Sequence, residues 1–286
     1  MAVKRARAKA PGIRRQVAGW GLPPAWVPIV VACLLATPVK DLAAVEFFAG
    51  EKSVAIGCAA HGLAAATIEL LDGQDITTPR GQRQCIRYLC RARRGGLCWL
   101  GVPCSSWIFC GMPNAGRYAW CVAGDPNSPY AQKHNELARI SIDLARLAFF
   151  LGLYVVIEQP MTSTLFGFQP MAAAVFEMGL SRVGVWLDGF GAASQKPLQL
   201  FGNAPWLPNL HSLSARLHKT AALPQQKLAT TTVKENGKIS VTGNRLAMEE
   251  SSAYPKRFGF HVGRLHAELL LGPPAPAPVF SLMLDD

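Results

Sequence analysis

An open α/β fold with a largely parallel sheet is predicted by three features of this 286-residue chain. From residue 42 onward, short apolar runs alternate with amphipathic stretches, the pattern of successive β-α-β units. The most regular helix, Ala131–Leu151, carries Leu137, Ile140, Leu144 and Leu147 at helical spacing. Gly152 ends it, and the apolar run Leu153–Ile157 follows as a strand buried on both faces. Half of the residues are apolar and 16% are charged, which suits a full globular core and excludes wholesale disorder.

Taken in order, residues 1–40 read as a basic, flexible tail holding seven Lys and Arg and no acid. The remainder has 22 basic against 18 acidic residues, so the body is only mildly basic. Within the tail, Ala25–Val39 is an apolar run behind a basic leader, the outline of a secretory signal. Pro28 and Pro38 interrupt it and it is short for a bilayer, so an N-terminal helix or strand packing on the domain is favoured. A targeting segment stays open.

Leu42–Phe48 is the first predicted strand, followed by a turn at Ala49–Gly50 and a helix to about His61. Leu63–Glu69 is the second strand, and Arg80–Arg94 a basic helix stopped by Gly95 and Gly96. Leu97–Val102 is the next strand. Arg182–Leu187 and Leu198–Phe201 are the later ones and complete a domain over 41–203. Residues 204–250 carry Pro, Thr and Lys without clear period and read as a small loop-rich insert. A helix within 251–272, Ser252–Leu271, returns to the core, and 273–286 is a Pro-rich tail. No other run reaches spanning length, since Ala145–Ile157 ends at Glu158.

All eight cysteines lie between Cys33 and Cys121 and none forms a C-x-x-C pair. No metal site is expected; reduced thiols in an intracellular protein, with the nucleus as one compatible address for a basic leader, are the simpler reading.

Three features stand at predicted strand ends, where open α/β sheets bind ligands. Phe48-Ala49-Gly50 follows the first strand, and its glycine lets backbone approach a ligand. Pro103-Cys104-Ser105-Ser106 follows a later strand, where a thiol can be half exposed and neighbouring N–H groups would favour the thiolate. Cys58, Cys85, Cys90 and Cys98 read instead as structural, buried thiols. Glu158-Gln159-Pro160 ends the apolar strand Leu153–Ile157, an environment that raises a carboxyl pKa.

In this order the three motifs resemble those of the cytosine-C5 DNA methyltransferase family: Phe-x-Gly, Pro-Cys and Glu-Asn-Pro. The resemblance covers about residues 42–203. It extends to Gly189-Phe190-Gly191, Lys196-Pro197 and Phe201-Gly202-Asn203. It is closest to a set of eukaryotic methyltransferase-like proteins that share Cys-Ser-Ser-Trp, Glu-Gln-Pro, Lys-Pro-x-x-Leu and a closing Ala-Tyr-Pro-x-x-Phe, here Ala253 to Phe258.

The resemblance implies a Rossmann-like S-adenosylmethionine-dependent methyltransferase sheet with helices on both faces. It implies Cys104 as the nucleophile at cytosine C6 and Glu158 as the group acting on N3. Phe48, Ala49, Gly50, Glu69, Asp75 and Pro103 would hold S-adenosylmethionine, with Asp72 competing for the ribose role of Glu69. Ser105, Ser106, Gln159 and Lys196 would contact the substrate, which is DNA, or RNA as the alternative.

Two departures are visible. Of the cations in the family's late motif only Lys196 remains, where two arginines hold the nucleophile loop and substrate. Glu51 and Lys52 occupy positions usually glycine, setting an acid toward the cofactor's carboxylate that Lys52 could offset. The insert supplies Arg216, Lys219, Lys227, Lys234, Lys238 and Arg245 against Glu235, a small basic surface for reading DNA. These departures leave a second class of function open, a catalytically inactive binding module on the same fold.

Overall fold

The computed structural model describes residues 2–36, 39–221, 229–233, 239–244 and 253–272. Its centre is a six-stranded sheet of β1 (Leu42–Phe47), β2 (Ala65–Ile68), β3 (Ala92–Leu100), β4 (Tyr154–Pro160), β5 (Ser181–Trp186) and β6 (Pro197–Gly202). The spatial order is β2-β1-β3-β4-β6-β5. Neighbours from β2 to β4 are parallel, and β6 runs antiparallel to both β4 and β5. This is an α/β fold with a mostly parallel mixed sheet, compatible with a Rossmann-like architecture.

Period-two alternation decides which residues feed which layer. Val45 and Phe47 of β1, Cys98 and Leu100 of β3, and Val155 and Ile157 of β4 join one core. Ala44, Leu97, Trp99 and Val156, one residue out of phase, join the other. The first core is covered by α4 (Pro79–Arg91), α5 (Pro129–Phe150) and α6 (Gln169–Glu177). The second is covered by α3 (Ser53–Ala60), α7 (Leu207–Thr220) and α8 (Lys256–Leu271).

Three expectations are corrected. The 1–40 segment contains two helices, α1 (Ala2–Ala18) in place of flexible tail and α2 (Val27–Leu35) within Ala25–Val39, where a packed helix or strand was the favoured reading. Val17, Leu22, Trp26, Val30 and Val31 enter the first core, and Trp26 Nε1 donates to Gln82 Oε1 at 2.9 Å. The 204–250 stretch opens with the regular helix α7 and includes a hairpin of β7 (Ala229–Val233) and β8 (Ile239–Gly243). Helix α6 was not expected. The proline-rich end 273–286, and Lys227, Lys234, Glu235, Lys238 and Arg245 of the insert, lie outside the described residues.

Helix α8 lies against α3 almost backbone to backbone. A Cβ on Gly259 would stand 1.9 Å from the Ser53 carbonyl oxygen, and one on Gly263 2.2 Å from that of Gly57. The start of α3 is fixed from the sheet, because Glu46 accepts from the Val54 and Ala55 amides, the latter at 2.8 Å. Burial nevertheless pushes the Glu46 carboxyl up to about 7.

Candidate active site

After β1 the chain goes outward to β2, then returns across β1 to place β3 on its other side. The C-terminal ends of β1 and β3 therefore flank a topological switch point, where open sheets leave a crevice for ligands. A cavity of about 720 Å³ opens there, within the size range of small-molecule sites.

One end of the cavity is built by the turn after β1. Phe48 (φ 55°), Gly50 (φ 48°) and Lys52 (φ 58°) all adopt left-handed backbone, and Phe48 and Lys52 are the non-glycine residues that do so among those described. Such conformations cost about 1–2 kcal/mol per residue and concentrate at ligand sites. Glu69, just past β2, ties this turn down: its Oε2 accepts from the Gly50 amide at 2.8 Å and its Oε1 from the Leu71 amide at 3.3 Å. Asp75 Oδ1 accepts from the amide and hydroxyl of Thr77, which holds its carboxyl below the usual range. Ile68, Leu70 and Ile76 provide apolar wall between these acids.

Asp72, the competitor for the role of Glu69, is instead paired with Lys52 at 2.8 Å. The Lys52 ammonium is held chiefly by Asp72, and Glu69 and Glu51 act on it more weakly, so its offset of Glu51, which lines the cavity, is shared.

The other end is formed by Pro103, Cys104 and Ser105 after β3, Glu158 at the end of β4, and Lys196 just before β6. Cys104 is half-buried and free. Burial raises its thiol pKa, the Lys196 ammonium lowers it, and the Glu158 carboxylate raises it again, for a net rise. A backbone amide hydrogen bond also lowers it, as the sequence led one to expect, but does not outweigh burial; the Trp107 and Ile108 N–H groups donate to the Cys104 carbonyl. Burial also raises Glu158, against the lowering effects of Lys196 and of a hydrogen bond from Tyr254. Tyr254 Oη donates to Glu158 Oε2 at 2.6 Å, while Oε1 is buried with no hydrogen-bond partner.

Of the residues singled out from sequence, Phe48, Ala49, Gly50, Glu69, Asp75, Pro103, Cys104, Ser105, Glu158 and Lys196 line this one cavity. Ser106 and Gln159 do not, and their expected substrate contacts are corrected. Gln159 is fully buried; its Nε2 donates to the Val102 carbonyl at 2.5 Å and its Oε1 accepts from Ser163 Oγ at 2.7 Å. Successive residues of a strand point to opposite faces, so Glu158 on the cavity wall sends Gln159 behind it. Ser106 is equally buried and accepts from Arg117.

Arg117 was not anticipated. It is 1% exposed, with its guanidinium 3.4 Å over the Trp107 ring. Nη1 donates to the Val122 carbonyl at 2.6 Å, and Nη2 to Ser106 Oγ at 3.2 Å and Asn135 Oδ1 at 2.9 Å. One planar cation thus roots the loop that carries Cys104 onto the start of α5. Its sequence signal is isolation, for Arg117 is the only charged residue between Gly95 and Gly124. Tyr254 was missed too, since only its place in a shared closing motif marked it.

His134 on α5 is buried, with Nε2 3.4 Å from Ser105 Oγ, and burial together with Arg117 lowers it to about 4. The ring is therefore neutral near pH 7. Cys58, Cys85, Cys90 and Cys98 are all buried thiols with raised pKa.

No protein-family model matches the chain, and no curated protein sequence matches it. Among the described residues no group of His, Cys, Asp and Glu is arranged to hold a metal ion, and no helix is long and apolar enough to cross a membrane.

Proposed function

We propose that the protein is an S-adenosylmethionine-dependent cytosine-C5 methyltransferase acting on DNA through a covalent adduct at Cys104. What carries this reading is the meeting of a half-buried thiol, a buried carboxyl with an unpaired oxygen and a lysine on the walls of one cavity. The strained turn and Glu69 stand at its other end.

The residues fit the methyl donor. Glu69 suits ribose hydroxyls, Asp75 an adenine amino group, and Ile68, Leu70 and Ile76 an aromatic ring, while the Phe48–Gly50 backbone can approach a ligand closely. Glu51 is the misfit, an acid on the wall with no free lysine beside it. S-adenosylmethionine, when bound, supplies an electrophilic methyl group.

The chain's own residues make a pyrimidine able to accept that group. Cytosine C5 is a poor nucleophile until C6 is bonded, and a thiolate is the side chain best suited to add there near neutral pH. Cys104 Sγ forms the bond to C6, and the displaced electron pair is accommodated as Glu158 gives a proton to N3. Burial keeps Glu158 protonated to higher pH than an ordinary carboxyl, which suits this donation. The thiol proton must leave as the adduct forms, and the Lys196 ammonium favours that loss. After C5 is substituted, loss of its proton to solvent expels Cys104 from C6 as the thiolate, and N3 returns its proton to Glu158, which restores the ring and both side chains. In a duplex the target base must first leave the stack, at a cost of about a few kcal/mol.

Two measurements test this. S-adenosylhomocysteine should stabilise the full chain by mass action, by about 2.7 kcal/mol at a hundred times Kd. DNA containing 5-fluorocytosine should form a denaturation-resistant adduct in the presence of S-adenosylmethionine, lost in Cys104→Ser. The raised thiol pKa favours a second reading, a cofactor-binding module without catalysis. Stabilisation with no adduct on DNA or RNA would select it, and an adduct on RNA alone would change the substrate.

A further inference from the structure

We propose that Tyr254, carried by the segment leading into α8, is the positioning residue for Glu158: its hydroxyl fixes Oε2 and thereby commits Oε1 to the substrate base. The inference rests on the reading of the cavity given above.

Tyr254 reaches Glu158 from 96 positions away in the chain. Its ring packs edge-on to Trp99 and tilted against Phe258, with centroids at 6.1 and 5.4 Å. Its carbonyl accepts from Ser53 Oγ at 2.8 Å, which ties the segment to the first residue of α3. Trp99 Nε1 donates to Tyr254 Oη at 3.4 Å, so the oxygen accepts from the indole while its proton goes to Glu158. At Gly101, on the way to Pro103 and Cys104, a Cβ would lie 3.0 Å from Oη; the missing side chain makes room for this hydroxyl.

A carboxyl held at one oxygen by a buried donor cannot turn freely, and the other oxygen becomes its working end. Oε1 is buried and unpartnered, an arrangement that is unfavourable unless a proton or ligand meets it. A protonated Oε1 donating to a ring nitrogen satisfies that requirement. The arrangement also supplies a tether that the absent arginines do not.

Three further titratable groups are coupled to this pair: Lys196 before β6, which acts on Glu158, Cys104 after β3, on which Glu158 acts, and Glu46 of β1, which acts on the tyrosine. The tyrosine hydrogen bond favours the carboxylate, so its removal raises the Glu158 pKa and never lowers it.

The test compares the full chain with Tyr254→Phe, which keeps the packed ring. The protonated Glu158 carbonyl stretch is followed by isotope-edited infrared spectroscopy against pH, with Glu158→Gln to assign the band. The midpoint should rise by about one pH unit or more, the size expected for a hydrogen bond to a charged group. Adduct formation on 5-fluorocytosine DNA should slow by about tenfold or more, and its alkaline limb should move up with the midpoint. S-adenosylhomocysteine affinity should stay within about twofold, because the hydroxyl is assigned to Glu158 and not to the cofactor. An unmoved midpoint, or an unchanged adduct rate, overturns the inference. A shifted midpoint with no adduct from either protein leaves the Tyr254–Glu158 coupling standing and overturns the methyl-transfer reading instead.

Discussion

Arg117 illustrates how one side chain can set the shape of the loop that carries Cys104 without touching the cavity. Its guanidinium satisfies Ser106 Oγ, Asn135 Oδ1 and the Val122 carbonyl while stacking on Trp107, with no carboxylate to neutralise it. Burial lowers its pKa to about 10, still far above neutrality, so the cation persists. Arg117→Met keeps most of the volume and removes the donors, leaving three acceptors unmet. At about 1 kcal/mol or more for each buried acceptor, and with water repairing part of the loss, the variant should lose about 2–3 kcal/mol in urea denaturation. Cys104 should also alkylate faster in peptide-resolved mass spectrometry, as its loop loosens. Unchanged stability and labelling would show that the loop holds itself. At this scale Cys104 and Glu158 were legible because each ends an apolar strand, and strand ends in such sheets face ligands. Ser106 and Gln159 were misjudged because adjacency in sequence was taken for adjacency in the site. Arg117 was illegible because its partners come from a loop and from the start of α5, and no local pattern joins them.

Among elements, the pairing of α3 with α8 is what brings Tyr254 to the site. Their contact is between main chains, so it tolerates no added atom. Gly259→Ala places a methyl 1.9 Å from the Ser53 carbonyl oxygen, and neither backbone can yield without disturbing the other helix. Alanine is intrinsically the better helix former by about 1 kcal/mol, but overpacking of about 3 kcal/mol or more outweighs that gain. Gly12→Ala in α1 is the control, since a methyl there meets nothing within 4 Å and only the helix preference acts. Calorimetry should therefore show a lowered Tm for Gly259→Ala and an equal or higher one for Gly12→Ala. Equal effects of the two would refute close packing as the cause. The same elements show why one helix was read as loop. Pro208 occupies the first turn of α7, where proline lacks only an amide that needs no intrahelical partner, and among the Pro, Thr and Lys of 204–250 it hid the helix it in fact begins. Long, strongly periodic α5 needed no such allowance.

For the whole molecule, the cavity at the C-terminal edge of the sheet takes walls from both layers, Ile76 and Leu137 from one and Tyr254 from the other. The overall α/β class was legible because alternation along β1, β3 and β4 and the regularity of α5 are local properties. Within residues 1–40 the packing of Ala25–Val39 was legible in its apolar run; that of the preceding stretch was not, because its basic residues describe solvent contact while the burial of Val17 and Leu22 depends on a distant partner surface. The net charge of +11 invites a reading of this segment as a detachable nucleic-acid arm. Its packing argues otherwise. Val17, Leu22, Trp26, Val30 and Val31 are all buried against the layer that includes α4, and Trp26 hydrogen-bonds Gln82 there. A fully buried side chain of this kind contributes about 1.5–3 kcal/mol, and whole domains are stable by only about 5–15 kcal/mol. A chain that starts at residue 42 would expose the matching apolar surface of α4. It should elute as aggregate, bind a hydrophobic dye and unfold at markedly lower urea, whether or not DNA is present. Trp26→Ala alone should cost about 3–5 kcal/mol by the same burial. If the shortened chain were instead monomeric with an unchanged urea midpoint, and lost only affinity for DNA, α1 and α2 would be an appendage and the charge-based reading would be restored.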